Sequence, residues 1–188
     1  MARSFQHSPL AILALLAEAP MHPYRMQQLI KERSKDKVIN VQRRGSLYQT
    51  INQLQRAGLI HVRETARDEK YPARTIYALT EQGRHTVLDW MREILSVPTQ
   101  EFPEFPAAVS FLPLLTPEDA LRQLQAREAA LVCRIADLDA EFQRNATELP
   151  RLFLLEDELV RATVDSELRW VRGVIEDLRA GRLRWNKD

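Results

Sequence analysis

One cysteine, five glycines and no long apolar run in 188 residues each remove a class of protein. Pro, Glu or Arg interrupts every candidate for the roughly 18–20 residues that a membrane span needs. The opening Met-Ala-Arg-Ser-Phe-Gln-His-Ser-Pro holds no apolar core of signal-peptide length. Cys133 has no second cysteine to pair with, so neither an intrachain disulfide nor a cysteine metal cluster is expected, and a cytoplasmic, reducing location follows. Five glycines leave little from which to build a phosphate-cradling loop, and Ser46 opens a helix outside any Gly-x-Ser-x-Gly context. His7, His22, His61 and His85 are scattered, without the His-x-x-x-His or carboxylate spacing of a metal site. No catalysis, cofactor or metal is therefore expected. What remains, at 45% hydrophobic and 28% charged, is one or two ordinary domains with a real core.

The net charge of +1 hides an asymmetry. Residues 1–95 hold 15 Lys+Arg against 9 Asp+Glu, whereas residues 96–188 hold 12 against 17. A basic half joined to an acidic half suggests that the first meets a polyanion. Five of the ten prolines (Pro98, Pro103, Pro106, Pro113 and Pro117) fall between Ser96 and Pro117, a density that no regular helix of length survives. The expected organisation is thus a basic domain over 1–95, a Pro-rich connector over 96–117 and a helical domain over 118–188. Phe102, Phe105 and Phe111 lie in the connector, so it is expected to pack on something.

Three helices are expected in the first domain. Ser8-Pro9 suits a cap and first helical position ahead of Leu10–Ala17. A second helix runs from Pro23 to about Arg33. The third opens at Gly45-Ser46 and closes at Gly58. In it Leu47, Ile51 and Leu54 form one narrow apolar stripe. Gln49, Asn52, Gln53 and Arg56 cluster opposite, with Tyr48 at the edge and no carboxylate among them. Amide and guanidinium groups are those that pair two-pronged with adenine and guanine in a major groove. Arg43 and Arg44, just before the helix, are placed to grip phosphate. Next, 59–63 and 75–79 alternate as strands around a polar loop over 67–74 that carries Arg67, Lys70 and Arg74. Three helices and a basic-tipped hairpin are the order of a winged helix-turn-helix, in which the third helix enters the major groove and the wing grips the backbone or minor groove.

Leu13-Ala14-Leu15-Leu16, Pro20-Met21-His22-Pro23-Tyr24 and Gly45-Ser46-Leu47-Tyr48 resemble the PadR family of bacterial transcriptional regulators. The likeness continues through Ala57-Gly58-Leu59-Ile60, Arg74-Thr75-Ile76-Tyr77-Ala78-Leu79-Thr80 and Gly83. It implies a winged-helix dimer that usually represses transcription by occupying an operator. Tyr48 and its neighbours, Ser46 among them, would contact DNA, and Arg74 would anchor the wing. Many members have Gly-Arg where this chain has Lys70-Tyr71, which keeps a positive charge but changes the turn. Tyr24 matches the family motif but reads by itself as a packing residue of the second helix.

In the second half, Thr116-Pro117-Glu118 signals a capped helix start. Leu121, Leu124, Leu131, Ile135, Leu138 and Phe142 follow at coiled-coil spacing, with Glu128 as a polar interruption. A second long helix runs from Pro150 to about Ala180. Together they make an antiparallel hairpin with more apolar face than one partner covers, for which a second copy of the chain is the simplest remedy. A monomeric bundle folded back on the first domain is the alternative. The fold class expected is therefore mainly α: a winged helix-turn-helix with a two-stranded wing, and a C-terminal helical dimerisation domain. Trp90, Phe102 and Phe105 are candidates for a pocket, since some family members release DNA on binding small aromatic compounds; the alternative is domain-interface core. Trp170 and Trp185 read as dimer or surface aromatics. The expected function is a homodimeric repressor on double-stranded DNA, released by a small aromatic effector. A winged-helix and coiled-coil protein-interaction module without DNA binding is the alternative.

Overall fold

A computed structural model describes residues 7–33, 35, 44–68 and 71–185, of which 7, 8, 44–46, 65–68 and 71–74 are described in their backbone only. The contacts divide the chain into two compact units, residues 1–100 and 101–188.

In the first unit, α1 (His7–Glu18) is apolar almost all round. It accordingly buries Ala11, Ile12, Leu13, Leu15 and Leu16 at the centre, against α3, α4 and β2. The helix starts at His7, so Ser8 and Pro9 lie inside its first turn, where proline's missing N–H has no intrahelical partner to lose. Helix α2 (Pro23–Glu32) turns Pro23, Met26 and Ile30 inward. It is capped by His22, whose Nδ1 accepts from the Arg25 N–H at 3.0 Å. Helix α3 (Arg44–Arg56) buries Leu47, Ile51 and Leu54, and ends where Gly58 takes a φ of 71°.

Strands β1 (Ile60–Asp68) and β2 (Tyr71–Leu79) pair antiparallel, from Ile60↔Leu79 to Asp68↔Tyr71. The hairpin is longer than the sequence suggests, because most of the polar segment 67–74 continues the ladder instead of looping out. Charged side chains interrupt apolar alternation along it: residues 61–64 are exposed, whereas Ile60 and Ala78 at its base are buried. Met21 adds one bridge beside Tyr77, with two N–H to O contacts of 3.1 Å, and so ties the α1–α2 turn to the wing's base. Helix α4 (Glu81–Ser96) follows at once, capped by Thr80.

The second unit opens with α5 (Glu104–Ser110), a seven-residue helix inside the Pro-rich segment. Pro103 precedes it and Pro106 falls in its first turn, positions where proline breaks nothing. Helix α6 (Pro117–Ala146) begins on the Thr116 cap, whose Oγ1 accepts from the Asp119 N–H at 3.2 Å. After a 3₁₀ turn (Arg151–Leu154), α7 (Leu155–Arg179) runs back along it. Leu124 and Leu131 pack with Val164, Leu168, Val171 and Ile175, flanked by Leu121, Ile135 and Leu138. The cross-links Arg161–Asp139 (2.6 Å) and Arg172–Glu128 (2.8 Å) fix the antiparallel register. Glu128, the polar break in the seam, is thus an inter-helix ion-pair position. Among the described residues no helix is long and apolar enough to cross a membrane.

Candidate nucleic-acid interface

The outward side of α3 is built by its inward one. With Leu47, Ile51 and Leu54 anchored in the core, a 100° step per residue leaves two parallel stripes in solvent. Tyr48, Asn52 and Gln55 form one; Gln49, Gln53 and Arg56 form the other, and all six are exposed. Gln55 belongs to this surface although it is not among the residues nominated from sequence. Its place seven residues after Tyr48 is the signal that would have found it. From Tyr48 to Arg56 the face spans about 12 Å, the rise of three to four stacked base pairs. It offers amides, a phenol and a guanidinium, and α3 contains no carboxylate to repel phosphate.

The helix is held at its C-terminal end by a short polar lock. The Thr80 hydroxyl shares its donation between the Gly58 (2.8 Å) and Leu59 (3.0 Å) carbonyls, and accepts from the Gly83 N–H at 2.9 Å. The end of α3, the start of β1 and the start of α4 therefore meet at one hydroxyl.

Of the other residues nominated from sequence, Arg44 and Ser46 lie in the first turn of α3. Arg67 lies in β1, at a register shift, and Arg74 in β2 opposite Ala66. Their side chains, with Arg43 and Lys70 altogether, lie outside the described residues. Tyr24 differs from its reading as a packing residue. It is 59% exposed and stacks on His22 with ring centres 6.2 Å apart, because its place on α2 faces away from Met26 and Ile30.

Two of this unit's ion pairs involve α2 and its C-terminal cap. Arg33 donates to both Glu18 carboxylate oxygens (2.6 and 2.8 Å), and Arg25 to both of Glu32 (3.0 and 3.1 Å). The hydrogen bond from Arg33 holds the Glu18 carboxyl below its ordinary range and raises Arg33 in return.

The three aromatic pocket candidates have separate surroundings. Trp90 packs against the core of the first unit. Phe102 is 86% exposed. Phe105 packs on the α6–α7 core, edge-on to Trp170 (5.8 Å) and beneath the Arg127 guanidinium, 3.4 Å from the ring centre. Trp185 donates its indole N–H to the Leu115 carbonyl at 2.9 Å, so it helps close the end of the second unit. Among the described residues no cluster of His, Cys, Asp and Glu is gathered that could hold a metal.

Three helices, a two-stranded wing and a fourth helix after it place the first unit in the winged helix-turn-helix class. Within that class, residues 12–88 match the family model described as the transcriptional regulator PadR-like family. Residues 12–88, most of the first unit, are thus similar to that family. No curated protein matches. Among solved structures, Bacillus subtilis PadR in complex with operator DNA is 17% identical, with 90% of this chain and 98% of that one covered and a TM-score of 0.73. The same Bacillus subtilis protein in complex with p-coumaric acid is 17% identical, with 92% and 99% covered and a TM-score of 0.75. The Vibrio cholerae virulence activator AphA is 20% identical, with 92% and 98% covered and a TM-score of 0.67. At these identities the likeness is one of fold, and it extends over both units.

Proposed function

We propose that the protein is a sequence-specific transcriptional repressor of the cytoplasm, bound as a homodimer to a pseudo-palindromic operator. The observation that carries this reading is the six-residue outer face of α3, polar, exposed and without a carboxylate. Gln49, Asn52, Gln53 and Arg56 would read base edges. Arg43, Arg44, Ser46 and Tyr48 would fix the helix on the backbone, and Arg67, Lys70 and Arg74 would hold the wing. Residues 1–95 then read DNA, 96–117 connect and 118–188 dimerise. Twofold-related recognition helices would sit about 34 Å apart, one turn of the duplex. A small aromatic effector would release the DNA. Support for this part is the family resemblance and the neighbour solved with p-coumaric acid.

The test is a fluorescence-anisotropy titration against DNA from upstream of the protein's own gene and a length-matched scrambled duplex, at two salt concentrations. A preference of about a thousandfold, weakening steeply with salt, is the expected result. No binding to any member of a genome-wide fragment selection would instead favour a protein-interaction module. Adding p-coumaric acid to the bound complex tests the effector: release of the duplex supports it, and an unchanged titration removes that phenolic acid as the ligand.

A further inference from the structure

We propose that Arg63 binds the DNA sugar–phosphate backbone, presented by the first bulge of β1; the inference rests on the DNA-binding reading above. Pairing runs regularly from Ile60↔Leu79 to Val62↔Tyr77 and resumes at Glu64↔Ile76. Arg63 therefore has no partner residue on β2. A bulge leaves its extra residue out of the ladder, bends the strand and re-aims a side chain. The second register shift, between Ala66 and Asp68, falls on Arg67. At that second shift the extra residue is on β2, where Pro72 and Ala73 stand against the single Arg67, so Arg63 is the one bulged-out arginine of β1; the two arginines lie four residues or about 13 Å apart.

A lone exposed arginine is ordinarily just a solvated side chain. Three observations weigh against that here. A bulge breaks the ladder of this two-stranded sheet at Arg63, and bulges are over-represented where a side chain is re-aimed for use. In addition, the Arg63 side chain is exposed and takes no ion pair, hydrogen bond or ring contact among the described residues, whereas Arg25, Arg33 and Arg92 of the same unit are each bonded to a carboxylate. Finally, the sequence from Lys37 to Arg63 contains no Asp or Glu at all. Arg63 closes the acid-free segment that contains the recognition helix, on the strand that leaves that helix through Gly58. Glu64 follows it directly, so the guanidinium meets phosphate with one carboxylate beside it and none from the third helix.

Because binding to the backbone is independent of sequence, a random duplex at low salt is a sufficient probe alongside the native upstream DNA. R63A is expected to weaken both duplexes by a similar factor, about three- to tenfold, and to flatten the salt dependence by about 0.9 in log–log slope for each phosphate that the variant no longer neutralises. R63K, which keeps the charge, should restore most of both. Thermal melts accompany each variant, and R63Q against R63K decides the matter where R63A melts early. Affinity and slope unchanged in R63A, in a protein whose wild type binds, would overturn the role of Arg63 and leave the DNA reading standing. A weakening confined to the native duplex would overturn it too, by making Arg63 a reader of bases. Wild type bound to neither duplex would overturn the DNA reading itself, and Arg63's role with it.

Discussion

Two glycines carry opposite constraints, and the difference is measurable. A Cβ built on Gly83 would lie 2.0 Å from the Leu59 carbonyl oxygen, which is main chain and cannot rotate away. Gly83→Ala must therefore push α4 from β1 and strain the Thr80 lock, at a cost of about 1–3 kcal/mol. The expected outcome is a lowered denaturant midpoint together with weakened DNA binding, since the same lock holds the end of α3. Gly173 lies inside α7 with nothing within 4 Å of its would-be Cβ. Gly173→Ala should stabilise by up to about 1 kcal/mol, the difference in helix propensity, and raise the same midpoint. Gly58 was legible as a helix terminator, because a positive φ is a local demand. The crowding at Gly83 was not, because it arises from a strand end that folds back from 24 residues earlier.

At the scale of elements, α3 was readable because one narrow apolar stripe settles both its faces. The wing was half readable. Its inner residues alternate, but the register shifts at Arg63 and Arg67 depend on pairing with β2, which no local pattern encodes. The Pro-rich segment hid α5, since proline density argues against a helix except in a first turn, where Pro106 sits. Functionally, α3 and the wing should divide the labour. Arg56→Ala is expected to erase much of the preference for native over scrambled DNA, by about 1–3 kcal/mol, whereas Lys70→Ala should weaken all DNA alike and flatten the salt slope. Equal loss of preference from both variants would contradict that division. Between α6 and α7, the Arg161 hydrogen bond holds the Asp139 carboxyl below its ordinary range. A carboxylate depressed on folding contributes stability that is present above its unfolded pKa, about 3.9, and is lost as pH falls through the folded value. The melting-temperature gap between wild type and Asp139→Asn should therefore be open at pH 7 and close as pH drops below about 4.

For the whole molecule, the hairpin of long helices could be read from heptad spacing, but which apolar residues it leaves uncovered required the structure. The α6–α7 core uses Val164, Leu168, Val171 and Ile175 of α7. Leu155, Leu159 and Trp170 stay exposed on that helix, and Leu152 and Phe153 stay exposed in the turn before it. Leu159 and Trp170 lie on the side away from the seam, as a 100° step from Leu168 requires. Isolated exposed leucines are common on protein surfaces; the proposed homodimer would use the apolar residues gathered at the hairpin's turn, Leu152, Phe153, Leu155 and Leu159. In the proposed homodimer a second copy covers them. Leu159, 69% exposed, can be made charged without disturbing the fold of one chain. Leu159→Glu should then keep the helical content of the wild type while sedimenting as a monomer at concentrations where the wild type is a dimer. Since each half-site alone supplies only part of the binding free energy, the same variant should lose operator affinity by far more than it loses affinity for random DNA. A variant that stays dimeric would move the interface elsewhere on the chain. One that turns monomeric yet keeps full operator affinity would show that a single winged helix suffices, and the pseudo-palindromic reading would go with it.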